Sequence, residues 1–220
     1  MEKLIEKLTN PFSELNQNNP NDLIFFQNTC SNIARDLFNK YCIKCGNRTF
    51  YFAEVEFYYF DQTRFNKDWN NVTYERKEAA GKLFYHLSGV DICFKSDLKK
   101  DKNKQKIGYG GGILIRSLWE KTGNDKRIVT VGPLTCVNKI LNACKGDNMP
   151  KFEPLLLSKR QDIKPKETYR FLGETDFKAI SENKNKDGDL KLAYYDCTII
   201  PAEWNNARSS YYSKRFPSKN

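Results

Sequence analysis

The chain has a single histidine, no apolar run long enough to cross a membrane and no second partner for its one Cys-x-x-Cys pair, and each shortage removes a class of protein. One imidazole, His86, cannot supply both the acid and the base of a two-histidine ribonuclease centre. The first residues, 1–7, carry the acidic Glu2 and Glu6 beside Lys3 and Lys7 and contain no apolar core of signal-peptide length. A soluble intracellular protein without membrane contact is therefore expected, cytoplasmic, or nuclear in a eukaryotic cell. Seven cysteines are an odd number without the density of a disulfide scaffold, and they read as mostly buried thiols of a reducing compartment. Cys42 and Cys45 lack the further ligands a zinc site needs, so neither metal nor cofactor is expected. The glycine triplet Gly110-Gly111-Gly112 is followed by strand-like residues and not by a helix, which excludes a phosphate loop while still permitting close approach of another backbone.

The 220 residues that remain to be explained, 39% of them apolar, suffice for one compact domain spanning 1–220, with an N-terminal extension at 1–21. Thirty-seven Lys and Arg against 27 Asp and Glu leave a formal charge of +10, which draws the protein toward polyanions by counterion release. Twelve Tyr, 15 Phe and 3 Trp add flat surfaces on which bases can stack. DNA is the expected partner, bound by a monomer.

Apolar residues at Phe26, Cys30, Ile33, Ala34, Leu37 and Tyr41 recur at helical spacing and predict a helix over 22–41. The β-rich segments 41–45 and 49–60, joined at Gly46-Asn47, predict a hairpin. Further strands are expected at 81–87 and 90–95 with a turn at Ser88-Gly89, then at 113–118, 152–157, 168–172 and 190–200. Gly132-Pro133 opens a second helix with Leu134, Val137, Ile140, Leu141 and Cys144 as its apolar stripe. The lysine-rich stretch 96–109 and the segment 181–189 read as charged loops. The sum is an α+β fold, a single domain in which two main helices pack on a curved antiparallel sheet.

Side chains alternate along a strand, so residues 51–60 put Phe52, Glu54, Glu56 and Tyr58 on one face and Ala53, Val55, Phe57 and Tyr59 on the other. Two carboxylates then stand about 7 Å apart beside a tyrosine. A carboxylate among aromatics is suited to act as a general base on water, although such a pair also serves as a half-exposed face bridged to lysines. His86, within Phe84-Tyr85-His86-Leu87, belongs to a neighbouring strand and would form with Tyr58 a slot for a flat ligand.

Taken in order, Ile33-Ala34-Arg35-Asp36-Leu37-Phe38, Ala53-Glu54-Val55-Glu56-Phe57-Tyr58, Gly81-Lys82-Leu83-Phe84-Tyr85-His86 and Gly112-Ile113-Leu114-Ile115-Arg116-Ser117 resemble the alkyladenine (3-methyladenine) DNA glycosylase family. Val131-Gly132-Pro133-Leu134, Ser158-Lys159-Arg160 and Tyr169-Arg170-Phe171 continue the resemblance over roughly residues 25 to 175. It implies an alkyladenine-glycosylase-like fold with a positively charged DNA face, a nucleotide flipped from the stack, and hydrolysis of its base–sugar bond to leave an abasic site. Glu56 would activate water, with Glu54 in support. Tyr58, His86, Tyr85 and Arg116 would line the base pocket, and Ser88, Gly89, Lys95, Lys159 and Arg160 would meet DNA. Without a Schiff-base lysine, strand cleavage is not expected.

Two positions depart from the family. Its wedge tyrosine at a hairpin tip is replaced by Ser88-Gly89, and its pocket histidine past the long-strand tyrosine has no counterpart in residues 59–69. The base therefore stays open, between alkylated purines and other modified bases such as the bulky ones of phage DNA, and the role between repair and antiviral defence. The alternative is a non-catalytic nucleic-acid-binding protein on the same scaffold.

Overall fold

The computed structural model describes residues 2–9, 11–12, 22–61, 78–104, 106–123, 126–144, 149–155, 162–170 and 191–195. They form three α-helices, α1 (Glu2–Thr9), α2 (Asp22–Lys40) and α3 (Pro133–Ala143), and one ten-stranded sheet. Its strands are β1 (Tyr41–Cys45), β2 (Arg48–Asp61), β3 (Leu83–His86), β4 (Gly89–Cys93), β5 (Asp97–Lys100), β6 (Lys106–Lys121), β7 (Arg127–Val131), β8 (Lys151–Pro154), β9 (Lys166–Arg170) and β10 (Lys191–Tyr195). All pairings are antiparallel, and the sheet curls into an open half-barrel.

The two longest strands, β2 and β6, are the spine. Along one edge of β6 lie β5, β4 and β7 in succession, with β3 beyond β4. Along the opposite edge of β2 lie β1 and β10, with β8 beyond β1 and β9 beyond β10. All three helices feed one core on a single side of this sheet. Leu4 and Leu8 of α1, Ile33, Ala34 and Leu37 of α2, and Cys136, Val137 and Ile140 of α3 meet Val55, Phe57, Ile92, Ile113 and Ile115 from the strands. Burial of such side chains stabilises by about 1.5–3 kcal/mol each, which makes this face the main thermodynamic support of the fold.

Four expectations change. The stretch 96–109 is not a loop: Asp97↔Tyr109 through Lys100↔Lys106 pair as a hairpin, because buried Leu98 anchors β5 while its lysines face solvent. Gly108 makes the pairing possible, since a Cβ there would lie 1.9 Å from the Asp97 carbonyl oxygen, at a φ of +91°. The turn between β3 and β4 is Leu87-Ser88, with His86 paired to Gly89, so Gly89 is a strand residue and not a tip. It is buried against the start of α3, where a Cβ would fall 2.9 Å from Pro133 Cβ. Third, part of the 1–21 segment is helical, and α1 inserts Leu4 and Leu8 into the core beside Phe12. Fourth, Cys45 at the end of β1 is bonded to Cys144 at the end of α3, with their Cα atoms 5.5 Å apart, whereas Cys30, Cys42, Cys93 and Cys136 are buried thiols. The segment 181–189 lies outside the described residues.

The simple alternation expected along β2 also breaks. Its register against β6 shifts on both sides of Glu54, so Phe52 and Val55 both reach the core face although they stand three positions apart. Ile115 and Leu118 on β6 do the same. Strict alternation would have set Phe52 beside Glu54. The paired irregularity instead turns Phe52 inward and gathers Glu54, Arg116 and Ser117 on the other face.

Candidate functional site

The face of the sheet opposite the helices carries the chemistry-bearing residues. Arg116 donates from Nε to Glu54 Oε1 at 2.9 Å and from Nη1 to Glu56 Oε2 at 2.7 Å. Ser117 Oγ donates to the other Glu54 oxygen at 2.9 Å. Glu54 thus has both oxygens engaged by β6, which marks it as an anchor for the guanidinium. Adjacent residues on a regular strand could not both face Glu54, and the register shift is what allows Arg116 and Ser117 to do so.

The cluster is deeply buried: Glu56 is 0% exposed, Glu54 3% and Arg116 8%. Burial acts to lower the guanidinium pKa, but the charges of Glu56 and Glu54, and their hydrogen bonds, outweigh it and hold Arg116 above its ordinary range. Arg116 is accordingly a fixed cation at any working pH. Fixed donors around a carboxylate of this kind set its position without reorganisation.

A second network adjoins it. Asp91 lies directly opposite Leu114, which lies opposite Glu56, so Asp91 is two strands, about 10 Å, from the Glu56 backbone on the same face. The Tyr58 hydroxyl donates to Asp91 Oδ2, and His86 Nε2 lies 3.2 Å from that same oxygen. The Ser88 backbone N–H donates to His86 Nδ1 at 3.3 Å. Phe84 stacks on the imidazole with ring centroids 6.0 Å apart and planes inclined at 24°. Asp91 was not singled out from the sequence, although a lone carboxylate in the apolar run Val90-Asp91-Ile92-Cys93 is a signal that could have found it.

Glu56, Tyr58, His86 and Arg116 therefore share one sheet face and two neighbouring networks. Other candidates lie elsewhere. Tyr85 points to the helix side and packs on the core, where burial pushes its hydroxyl pKa up to about 12, since alternation sends it away from His86. Gly89 is covered by α3, leaving Ser88 exposed at the tip beside it. Lys95 is exposed beyond the far end of β4 from that tip, its N–H donating to Leu8 O at 3.0 Å. Lys159 and Arg160 lie outside the described residues. The tip brings forward a residue that sequence reasoning passed over: Leu87, 98% exposed.

Two contacts from the start of α3 brace the base of this hairpin. Gly132 N–H donates to Arg116 O at 2.8 Å, and Pro133, the next residue, packs against Gly89. The start of α3 is thereby joined to the backbone of Arg116 and to the base of the hairpin. A groove of about 560 Å³ lies away from this face, between α1 and α2, and its Lys7, Asp36, Arg35 and Asp162 are engaged in ion pairs with one another. Among the described residues no group of His, Cys, Asp and Glu is arranged to hold a metal ion, and no helix is long and apolar enough to cross a membrane. The sequence matches no family model and no curated protein, and the structure matches no solved structure.

Proposed function

We propose that this chain is a monofunctional DNA glycosylase that hydrolyses the bond between a flipped-out modified base and its deoxyribose. The observation that carries the reading is the setting of Glu56: a buried carboxylate, held by Arg116 at 2.7 Å, on the face that also presents Tyr58 and His86. Glycosidic bonds break through an oxocarbenium-like sugar, which a fixed carboxylate stabilises electrostatically. Water adds to the sugar carbon as the base departs with the bonding electrons. Glu56 takes the proton of that water, and the departing base gains one from solvent, so the products are free base and an abasic site.

Tyr58 and His86 supply flat faces for the flipped base, and no cofactor enters the scheme. Leu87 supplies the wedge. An apolar side chain with 98% of its surface exposed at a two-residue turn has little packing reason to be there, and leucine is among the side chains that insert between base steps. This removes the apparent deficit at Ser88-Gly89, because the wedge stands one residue earlier. Cationic surface on a chain of net charge +10 would position the duplex around it.

The test is release of free base from duplexes carrying a panel of alkylated, oxidised, deaminated and bulky modified bases, with alkali revealing abasic sites. Release from at least one duplex is expected, and Leu87→Gly is expected to lower it most on fully paired substrates. No release from any of them contradicts the reading. One observation favours the second reading, a non-catalytic nucleic-acid binder: Glu56 has no exposed surface, so a flipped nucleotide reaches it only after side chains over the cluster move aside. That protein would bind DNA with a steep salt dependence and free no base.

A further inference from the structure

All five residues of β4 are buried, and four of them, Gly89, Val90, Ile92 and Cys93, are apolar. The fifth, Asp91, is 0% exposed. A carboxylate in such a strand costs several kcal/mol in lost hydration unless bonded groups replace the water. Packing alone would be served better by an aliphatic side chain. What Asp91 does is join residues that the chain holds apart: Tyr58 on β2, across the whole of β6, and His86 on β3.

The imidazole geometry fixes its hydrogen. Nδ1 accepts from the Ser88 N–H at 3.3 Å, so the ring hydrogen belongs on Nε2, the nitrogen that faces Asp91 at 3.2 Å. Phe84 covers one side of the ring. His86 is thus held by a hydrogen bond at Nδ1, by the Asp91 carboxylate 3.2 Å from Nε2 and by Phe84 on one face, and the Tyr58 hydroxyl is committed to the same carboxylate. The polar edges of both rings are turned toward Asp91.

We propose that Asp91 is the positioning residue of this site, locking Tyr58 and the Nε2–H tautomer of His86 so that both meet a flipped base with flat faces and not with hydrogen-bonding edges. The proposal rests on the glycosylase reading for its ligand, but the lock itself is a property of the free protein. Selection of the base by Tyr58 and His86 is then a matter of shape and stacking, and any hydrogen-bond reading of its edge falls to other groups.

His86 is the sole histidine, so the two nitrogen resonances of ¹⁵N-histidine-labelled protein report it without ambiguity. The wild type is expected to show the Nε2–H tautomer, and Asp91→Leu a mixture of tautomers with base release slowed about 100-fold, the scale of a small misplacement of reacting groups. Asp91→Asn, which keeps the shape and one acceptor, is expected to restore part of both signals, and it carries the test if the leucine variant does not fold. An Nδ1–H tautomer in the wild type, or an Nε2–H signal unchanged in Asp91→Leu and Asp91→Asn, overturns the proposal. A tautomer shift as expected in a protein that releases no base leaves the lock standing and sinks the glycosylase reading, so the two failures are distinct.

Discussion

Two carboxylate–cation networks lie along β6, and they are built in opposite proportion. At one end, Glu120 receives Arg48 from Nε at 3.0 Å and Nη2 at 2.7 Å, and Lys139 of α3 at 2.9 Å. Burial acts to raise its pKa, yet the hydrogen bonds from Arg48 and Lys139 outweigh this and hold it below the ordinary value. One carboxylate there fastens β2, β6 and α3 at a partly solvated margin. In the middle of the strand two carboxylates converge on one buried guanidinium, and they link β2 to β6 where backbone pairing joins these strands already. Fastening accounts for the first network. The second lies at the register shift around Glu54, where it also braces the irregular ladder, and its burial of two carboxylates beside one cation is what the proposed chemistry at Glu56 draws on.

The comparison is broken most directly by Arg116→Met. Removing the shared guanidinium leaves two buried carboxylates, and a loss of about 3–5 kcal/mol in urea unfolding is expected. A loss below about 1 kcal/mol, the range of surface pairs, would show that the central network is as solvated as the marginal one. Glu120→Gln is expected to cost about 1 kcal/mol or less at neutral pH, since Arg48 is 37% exposed and water screens the pair. A carboxyl held below its ordinary value contributes stability that is present above the unfolded pKa of 4.5 and disappears as pH falls through the folded one. The gap between wild type and Glu120→Gln should therefore close as pH falls from 4.5 through the lowered folded value, read from thermal midpoints across an acid series. A gap that widens on acidification would contradict the assignment.

The smallest effect is expected at Tyr85→Phe. Its hydroxyl is buried with no hydrogen-bond partner among the described residues, so its removal should be neutral or stabilising by up to about 1 kcal/mol, with base release unchanged. A loss of base release there would return Tyr85 to the pocket and sharpen the division between the two faces of β3.

Much of the scaffold was legible because its signals are periodic. The stripe Cys30, Ile33, Ala34, Leu37 gave α2, Gly132-Pro133 gave the start of α3, and Gly46-Asn47 gave the β1–β2 turn. Other parts hide for identifiable reasons. The α1 stripe rests on two leucines among charged residues, and β5 owes its place to the single side chain of Leu98 amid lysines. The register shift at Glu54 leaves no mark, because sequence alternation runs unbroken through it and only the pairing with β6 reveals the turn of the strand. Glu54, Glu56, Tyr58, His86 and Arg116 were visible as residue types on strands, whereas Asp91 draws its meaning from neighbours 33 and 5 positions away that only the sheet brings together. Cys45 and Cys144 are likewise far apart in sequence, 99 residues, and nothing in their spacing announces the bond.

The central claim is that Glu56 activates water while Glu54 anchors the arginine beside it. The measurement that tests it most directly is single-turnover base release by the wild type and by Glu56→Gln on the same modified duplex, with circular dichroism verifying that both are folded. The wild type is expected to free the base, and Glu56→Gln to do so at least about 100-fold more slowly, the lower bound for loss of a general base. Equal rates from the two proteins would contradict the account.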